Sequence, residues 1–239
     1  MLEEDDVSRS KRHGHRCGGE RPGGWLPNSA RGIILAGNTG ARVIPMRRVI
    51  LIPVIHNLAD LGSLAESVRK HYLERFGPAV WAQRQRAVAR LWDGIRQSID
   101  ALDLDHRKLR VYQDGLPVCG MEMQIVEELA GAGSLNHQLV VKLAGKGAIV
   151  VGTEDPQLLI REYQLQRAQI ALPAGSKGPS PLPREAAELL AARDRFIAER
   201  IASTLPENET GLLFLGVAHR IDGELRAAGI EVATLACAD

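Results

Sequence analysis

The chain of 239 residues is short of several things at once. It has three widely separated cysteines, Cys17, Cys119 and Cys237, which excludes a disulfide framework and a C-x-x-C metal pair. It has only three each of Trp, Tyr and Phe, too few for base-stacking platforms. Neither sign of charge is in excess: 30 Lys+Arg face 29 Asp+Glu, so the basic surplus that drives nucleic-acid or acidic-membrane binding is missing. No run approaches the roughly 18 apolar residues of a membrane span. The one apolar stretch near the N-terminus is interrupted by Arg31, Gly32, Gly37, Asn38, Gly40 and Arg42. Familiar motifs are absent too: no G-x-G-x-x-G after the first strand, no G-x-x-x-x-G-K-[ST], no G-x-S-x-G and no H-E-x-x-H. These absences predict a cytoplasmic protein that takes a small-molecule ligand, not a nucleic acid or a membrane.

What is present is an ordinary globular composition, 45% hydrophobic and 25% charged. Residues 1–45 differ from the rest. They hold seven Lys+Arg, five Asp+Glu, many glycines and no sustained period, so they are expected to be a disordered, dispensable N-terminal extension. His13, His15 and Cys17 within it read as chance spacing. Residues 46–239, opening at Met46, are expected to form a single α/β domain.

Short apolar runs alternate with helical patterns through that domain. Residues 49–55 (V-I-L-I-P-V-I) read as a strand buried on both faces. A capping box from Ser63 to Glu66 opens a helix ending near Gly77, and a second helix over 78–102 places Val80, Ala87, Leu91, Ile95 and Ile99 on one face. A strand at 109–112 and helices at 122–130 and 135–144 follow, the latter capped by Ser134. Next come a buried strand at 148–151, a helix from Asp155-Pro156 to about Ile170, and a Pro/Gly/Ser-rich loop over 172–183. A long helix over 184–205, a strand at 211–217, a short helix at 220–228 and a strand at 230–235 complete the chain. Strands separated by helices imply right-handed crossovers. The expected fold is therefore a mostly parallel open sheet of about five strands with helices on both faces.

Ligands of such sheets bind beyond the carboxyl ends of the strands, so the residues that follow each strand are the candidates. His56, with Asn57 and Asp60, follows the first; Asp114 follows the second in Y-Q-D-G-L-P; Glu154 follows the third in G-T-E-D-P; His219 follows the fourth in G-V-A-H. Imidazole titrates near neutrality, and carboxylates orient it or bind a cation, so this set suits a general acid–base pair or a divalent metal. Asp155 reads as a helix cap, while Asp114 and Asp60 have turn-forming roles open to them as well. Glu122, Glu127 and Arg161 form a second tier, Arg161 being able to pair with an anionic ligand or with Glu162. Arg84, Arg86, Arg90 and Arg96 read as a solvated helix face.

Gly216-Val-Ala-His219, after an apolar strand, is similar to the G-x-x-H motif of the TraB/ChaN-like α/β families, which include metal-dependent proteases and haem-binding proteins. Where those families carry a second such element after an early strand, this chain reads Pro53-Val-Ile-His56, without the glycine. The resemblance implies a metal- or haem-linked site at His56, Glu154 and His219. The expected function is a small-molecule enzyme, hydrolytic in type, with His56, His219, Glu154 and Asp114 as catalytic residues. The alternative is a non-catalytic module that binds a metabolite or a partner.

Overall fold

A computed structural model describes residues 46–55, 60, 65–171 and 182–235. The N-terminal extension, His56, Ser63, most of the loop after residue 171, Cys17 and Cys237 lie outside them. The described residues run β1 (Arg47–Val54), α1 (Ala65–Asp100), β2 (Leu109–Gln113), α2 (Glu122–Gly131), α3 (Leu135–Gly145) and β3 (Ile149–Val151). They continue through α4 (Pro156–Ala171), α5 (Leu182–Thr204), β4 (Thr210–Gly216), α6 (Asp222–Ala227) and β5 (Ile230–Thr234). All five strands are parallel, in the order β3-β2-β4-β1-β5.

The β-branched, apolar run of β1 after Arg47 and Arg48 follows from its position between β4 and β5 with helices above and below. Ile50, Ile52 and Val54 enter one core layer; Val49 enters the other. Pro53 is tolerated inside this strand because the β5 ladder has ended. The β1–β5 register ends at Leu51 with Thr234, and Leu51 C=O accepts from Leu235 N, so Pro53 lies beyond the described β5 ladder, where its missing N–H breaks no ladder bond.

α1, α2 and α3 cover one face of the sheet. Val88, Trp92, Ile95 and Ile99 of α1 meet Val126 of α2, Val140 and Leu143 of α3, and Leu109, Val111 and Phe214 of the strands. α5 and α6 cover the other, through Ile197, Ala198, Ile201 and Leu225 against Tyr112, Leu213 and Leu215. Each of the Val, Leu, Ile and Phe side chains among them, withdrawn fully from water, contributes about 1.5–3 kcal/mol.

Two expectations are corrected. The buried stripe of α1 is Val88, Trp92, Ile95 and Ile99; Val80 and Ala87 are exposed, and Ala87, next to the buried Val88, is turned off that stripe by the helical rotation of about 100° per residue. β3 is not buried on both faces: it is an edge strand, three residues long, with Ile149 45% exposed. The break near Gly77 is present as a kink within α1, where Gly77 takes φ 78° and ψ 168° and Pro78 restarts the helix.

The connections after β1 and β2 pass through helices of the first face, those after β3 and β4 through helices of the second. β2 sends the chain outward to β3, while its neighbour β4 sends it the other way to β5. The switch point of this sheet, where a crevice opens, is therefore between the carboxyl ends of β2 and β4.

Candidate functional site

Asp114 and His219 come from the two strands that flank that crevice. Asp114 follows β2 directly; its N–H donates to Phe214 O at 2.9 Å, and its Oδ2 accepts from Gly216 N at 2.9 Å. His219 stands in the turn after β4, its N–H on Gly216 O at 3.1 Å. Glu154 is carried in by the end of β3. Thr153 and Glu154 both donate through their backbone to Leu116 O, and Gln113 N donates to Thr153 Oγ1 at 2.9 Å, which ties this segment to the loop after β2. Gly152 is needed for that approach: a Cβ there would lie 2.8 Å from Pro117 O and 2.9 Å from Val118 Cα.

Two residues of α5 complete the cluster, Arg193 (3% exposed) and Asp194. α5 leads into β4, so its first half lies over the carboxyl edge, and Arg193 continues the buried stripe of Ile197 and Ile201 toward that edge. The Arg193 guanidinium holds Glu154 with two bonds, Nε to Oε2 at 2.9 Å and Nη2 to Oε1 at 2.5 Å. The same Nη2 reaches Asp114 Oδ1 at 2.8 Å, and Nη1 lies 2.7 Å from Glu162 Oε2. Asp194 grips the imidazole from behind. Its Oδ1 is 2.5 Å from His219 Nδ1, and its Oδ2 accepts from Arg220 N at 3.0 Å. His219 Nε2 then faces Asp114 Oδ2 at 3.5 Å.

The electrostatics follow from this packing. Burial pushes the Glu154 carboxyl above the ordinary range, outweighing the Arg193 guanidinium that favours its charge. Burial works against the His219 imidazolium, yet the Asp114 and Asp194 carboxylates overcome it and raise this histidine. Arg193 is also raised, its own burial being outweighed by Glu154, Asp114 and Glu162.

The donor set fits a divalent cation in type and spacing. One atom each from Asp114, Glu154 and His219 lie within 4.8 Å of one another. The 3.5 Å between Nε2 and Oδ2 is close to the separation of two ligands on one tetrahedral ion with bonds of about 2.1 Å. A carboxylate behind the other ring nitrogen is the usual support of a ligating histidine. Arg193 is a rival cation, since it already holds both Glu154 oxygens and one of Asp114.

Of the residues expected from the sequence, Asp114, Glu154 and His219 are brought together, and His56 lies outside the described residues. Asp155 is the helix cap it was expected to be, accepting from Gln157 N and Leu158 N. Asp60 is elsewhere, on Ser134 Oγ at the head of α3. Glu122 secures its own turn by accepting from Cys119 N and Gly120 N, and Glu127 is exposed. Glu162 pairs with Arg193, while Arg161 is exposed. Arg193 and Asp194 escaped the sequence reading because they lie mid-helix in A-A-R-D-R-F, which reads as a solvated surface. The signal for Arg193 was its place in the series Leu189, Arg193, Ile197, Ile201, a charge in an otherwise apolar stripe. No family model, curated protein or solved structure matches the chain.

Proposed function

We propose that the protein is a small-molecule enzyme, hydrolytic in type, whose reaction centre is the crevice between the carboxyl ends of β2 and β4. The observation that carries this reading is the anchored imidazole: Asp194 holds Nδ1 at 2.5 Å, which leaves Nε2 turned to the Asp114 carboxylate at the carboxyl ends of β2 and β4. In that arrangement His219 acts as the acid–base group, taking a proton from an attacking water at Nε2 and returning it to the leaving group. Asp194 is a positioning residue that fixes the tautomer and favours the imidazolium once formed. Arg193 keeps Asp114 and Glu154 in place and offsets their charge.

A divalent ion, if held by Asp114 Oδ2, Glu154 and His219 Nε2, would instead supply Lewis acidity and make His219 a ligand. Elemental analysis of the purified protein, with and without a chelator, separates these versions. A second reading, a non-catalytic binding module, is favoured by one observation: Glu154 is already met by two Arg193 bonds and by Gly115 N, as in a rigid structural brace.

The deciding experiment screens ester, amide and phosphate-ester substrates. One class is expected to be hydrolysed, with His219→Ala lowering kcat by about 10²–10⁴-fold while circular dichroism stays unchanged. Turnover indifferent to His219→Ala would overturn the enzyme reading. Asp194→Asn is expected to lower kcat less and to move the acid limb of the pH profile downward, since a carboxylate that raises His219 has been removed.

A further inference from the structure

Helices α4 and α5, consecutive in the chain, share a cavity of about 170 Å³. α4 lines it with Glu162, Leu165, Gln166 and Gln169, and α5 with Ala186, Leu189, Leu190 and Arg193. Both sets are spaced i, i+3, i+4, i+7, so each is a single stripe of its helix. Leu165 and Leu189 are buried yet belong to neither core layer, which makes this seam a packing site of its own. At one end of both stripes Glu162 Oε2 lies 2.7 Å from Arg193 Nη1. The other end is formed by Ala186 and by Gln169, which is exposed. The cavity therefore has a charged end, an aliphatic middle and a way out.

Size, charge and hydrogen bonding narrow the occupant. An apolar cavity of about 150 Å³ holds one benzene, so this one takes a molecule of about six to eight non-hydrogen atoms. Arg193 already faces Asp114, Glu154 and Glu162, so an arriving anion would be a fourth negative group around a single guanidinium. A cation meets the opposite situation. Beyond its one ion pair, the Glu162 side chain meets no donor among the described residues, and the Gln166 side chain meets no partner at all among them. A carboxylate and a carboxamide one helical turn apart accept two of the three N–H bonds that an ammonium offers.

We propose that the cavity between α4 and α5 binds a small primary amine, its ammonium on Glu162 and Gln166 and its apolar tail along Leu189, Leu190 and Ala186. The site shares only Arg193 with the proposed reaction centre, and it stands without the hydrolase reading.

The test adds n-pentylamine and benzylamine to the full chain, with 1-pentanol and pentanoate as controls of matching length. Titration calorimetry gives each Kd, and the side-chain amide resonances of Gln166 report where the probe sits. Both amines are expected to bind saturably and shift those resonances, pentylamine about tenfold or more tighter than pentanol or pentanoate. Glu162→Gln is expected to remove that preference for pentylamine over pentanol. Ala186→Leu fills the tail end of the cavity and is expected to abolish amine binding; it carries the test if Glu162→Gln fails to fold. Wild-type protein that binds neither amine, amine binding that survives both substitutions, or pentanol or pentanoate binding as tightly as pentylamine overturns the site. His219 lines no part of the cavity. His219→Ala is therefore expected to leave the amine Kd unchanged even where no hydrolysis is found, so the two readings fail separately.

Discussion

At the scale of single residues, the molecule turns on how one arginine is surrounded. Arg193 faces Glu154, Asp114 and Glu162, and the first two are almost without solvent contact. Removing one partner of such a network is far worse than replacing the whole, because a charge is left buried without compensation. Arg193→Met is expected to cost about 3–5 kcal/mol in urea unfolding, with much of the loss recovered in Arg193→Met/Glu154→Leu. The raised acids set a second expectation. Glu154 and His219 both hold their protons more tightly folded than unfolded, so the stability each contributes is present at low pH and is lost as pH rises. The Glu154 loss begins above its ordinary 4.5, and that of His219 above 6.5. The melting temperature is therefore expected to fall across both windows, and His219→Gln to flatten the fall above pH 6.5. Asp114, Glu154 and His219 were legible in the sequence because each lies within three residues of the end of a strand, and strand ends of a parallel sheet share one edge. Arg193 and Asp194 were not, since a helix residue shows its partner only once the helix has a place over the sheet.

At the scale of elements, strands and caps were read well and helix phase less well. Ser134 and Asp155 cap α3 and α4 as their local chemistry requires, a matter settled within a few residues. The stripe of α1 differs in phase at its start: Ile95 and Ile99 are buried as expected, but Val80 and Ala87 are exposed while Val88, beside Ala87, is buried. Hydrophobicity along a helix tells which residues suit burial, not which turn of it meets the neighbouring layer. Two glycines make a paired prediction at this scale. Gly152→Ala drives a Cβ into Pro117 O and Val118 Cα, and is expected to lower stability by about 1–3 kcal/mol and loosen the Glu154 segment. Gly145→Ala, in an exposed and unobstructed helical position, is expected to raise stability by up to about 1 kcal/mol. Thermal melts of the two variants side by side check both.

At the scale of the whole molecule, alternation of strand and helix announced a parallel sheet, and the sheet is wholly parallel. The strand order was not legible, because order is decided by which strands pair over long sequence separations and no local pattern encodes that. The crevice could be located only once β4 was known to lie beside β2. A chain beginning at Met46 is expected to melt at the same temperature as the full chain, since every core residue named above follows that position. A lower melting temperature on removal of residues 1–45 would assign them a structural part.

The placement of β4 between β1 and β2 has a consequence for biosynthesis. β1 pairs with β4 and β5 alone, so the second-made half of the chain must leave the ribosome before the first-made strand has any neighbour. At about 5–20 residues per second, that wait is on the order of ten seconds or more, during which an apolar V-I-L-I segment has no sheet to join. Among the described strands only β2 and β3 can pair earlier, and two strands alone are marginal. Nascent chains arrested before Thr210 should therefore remain protease-sensitive and engage chaperones, and resistance should arrive in one step once β4 and β5 have emerged.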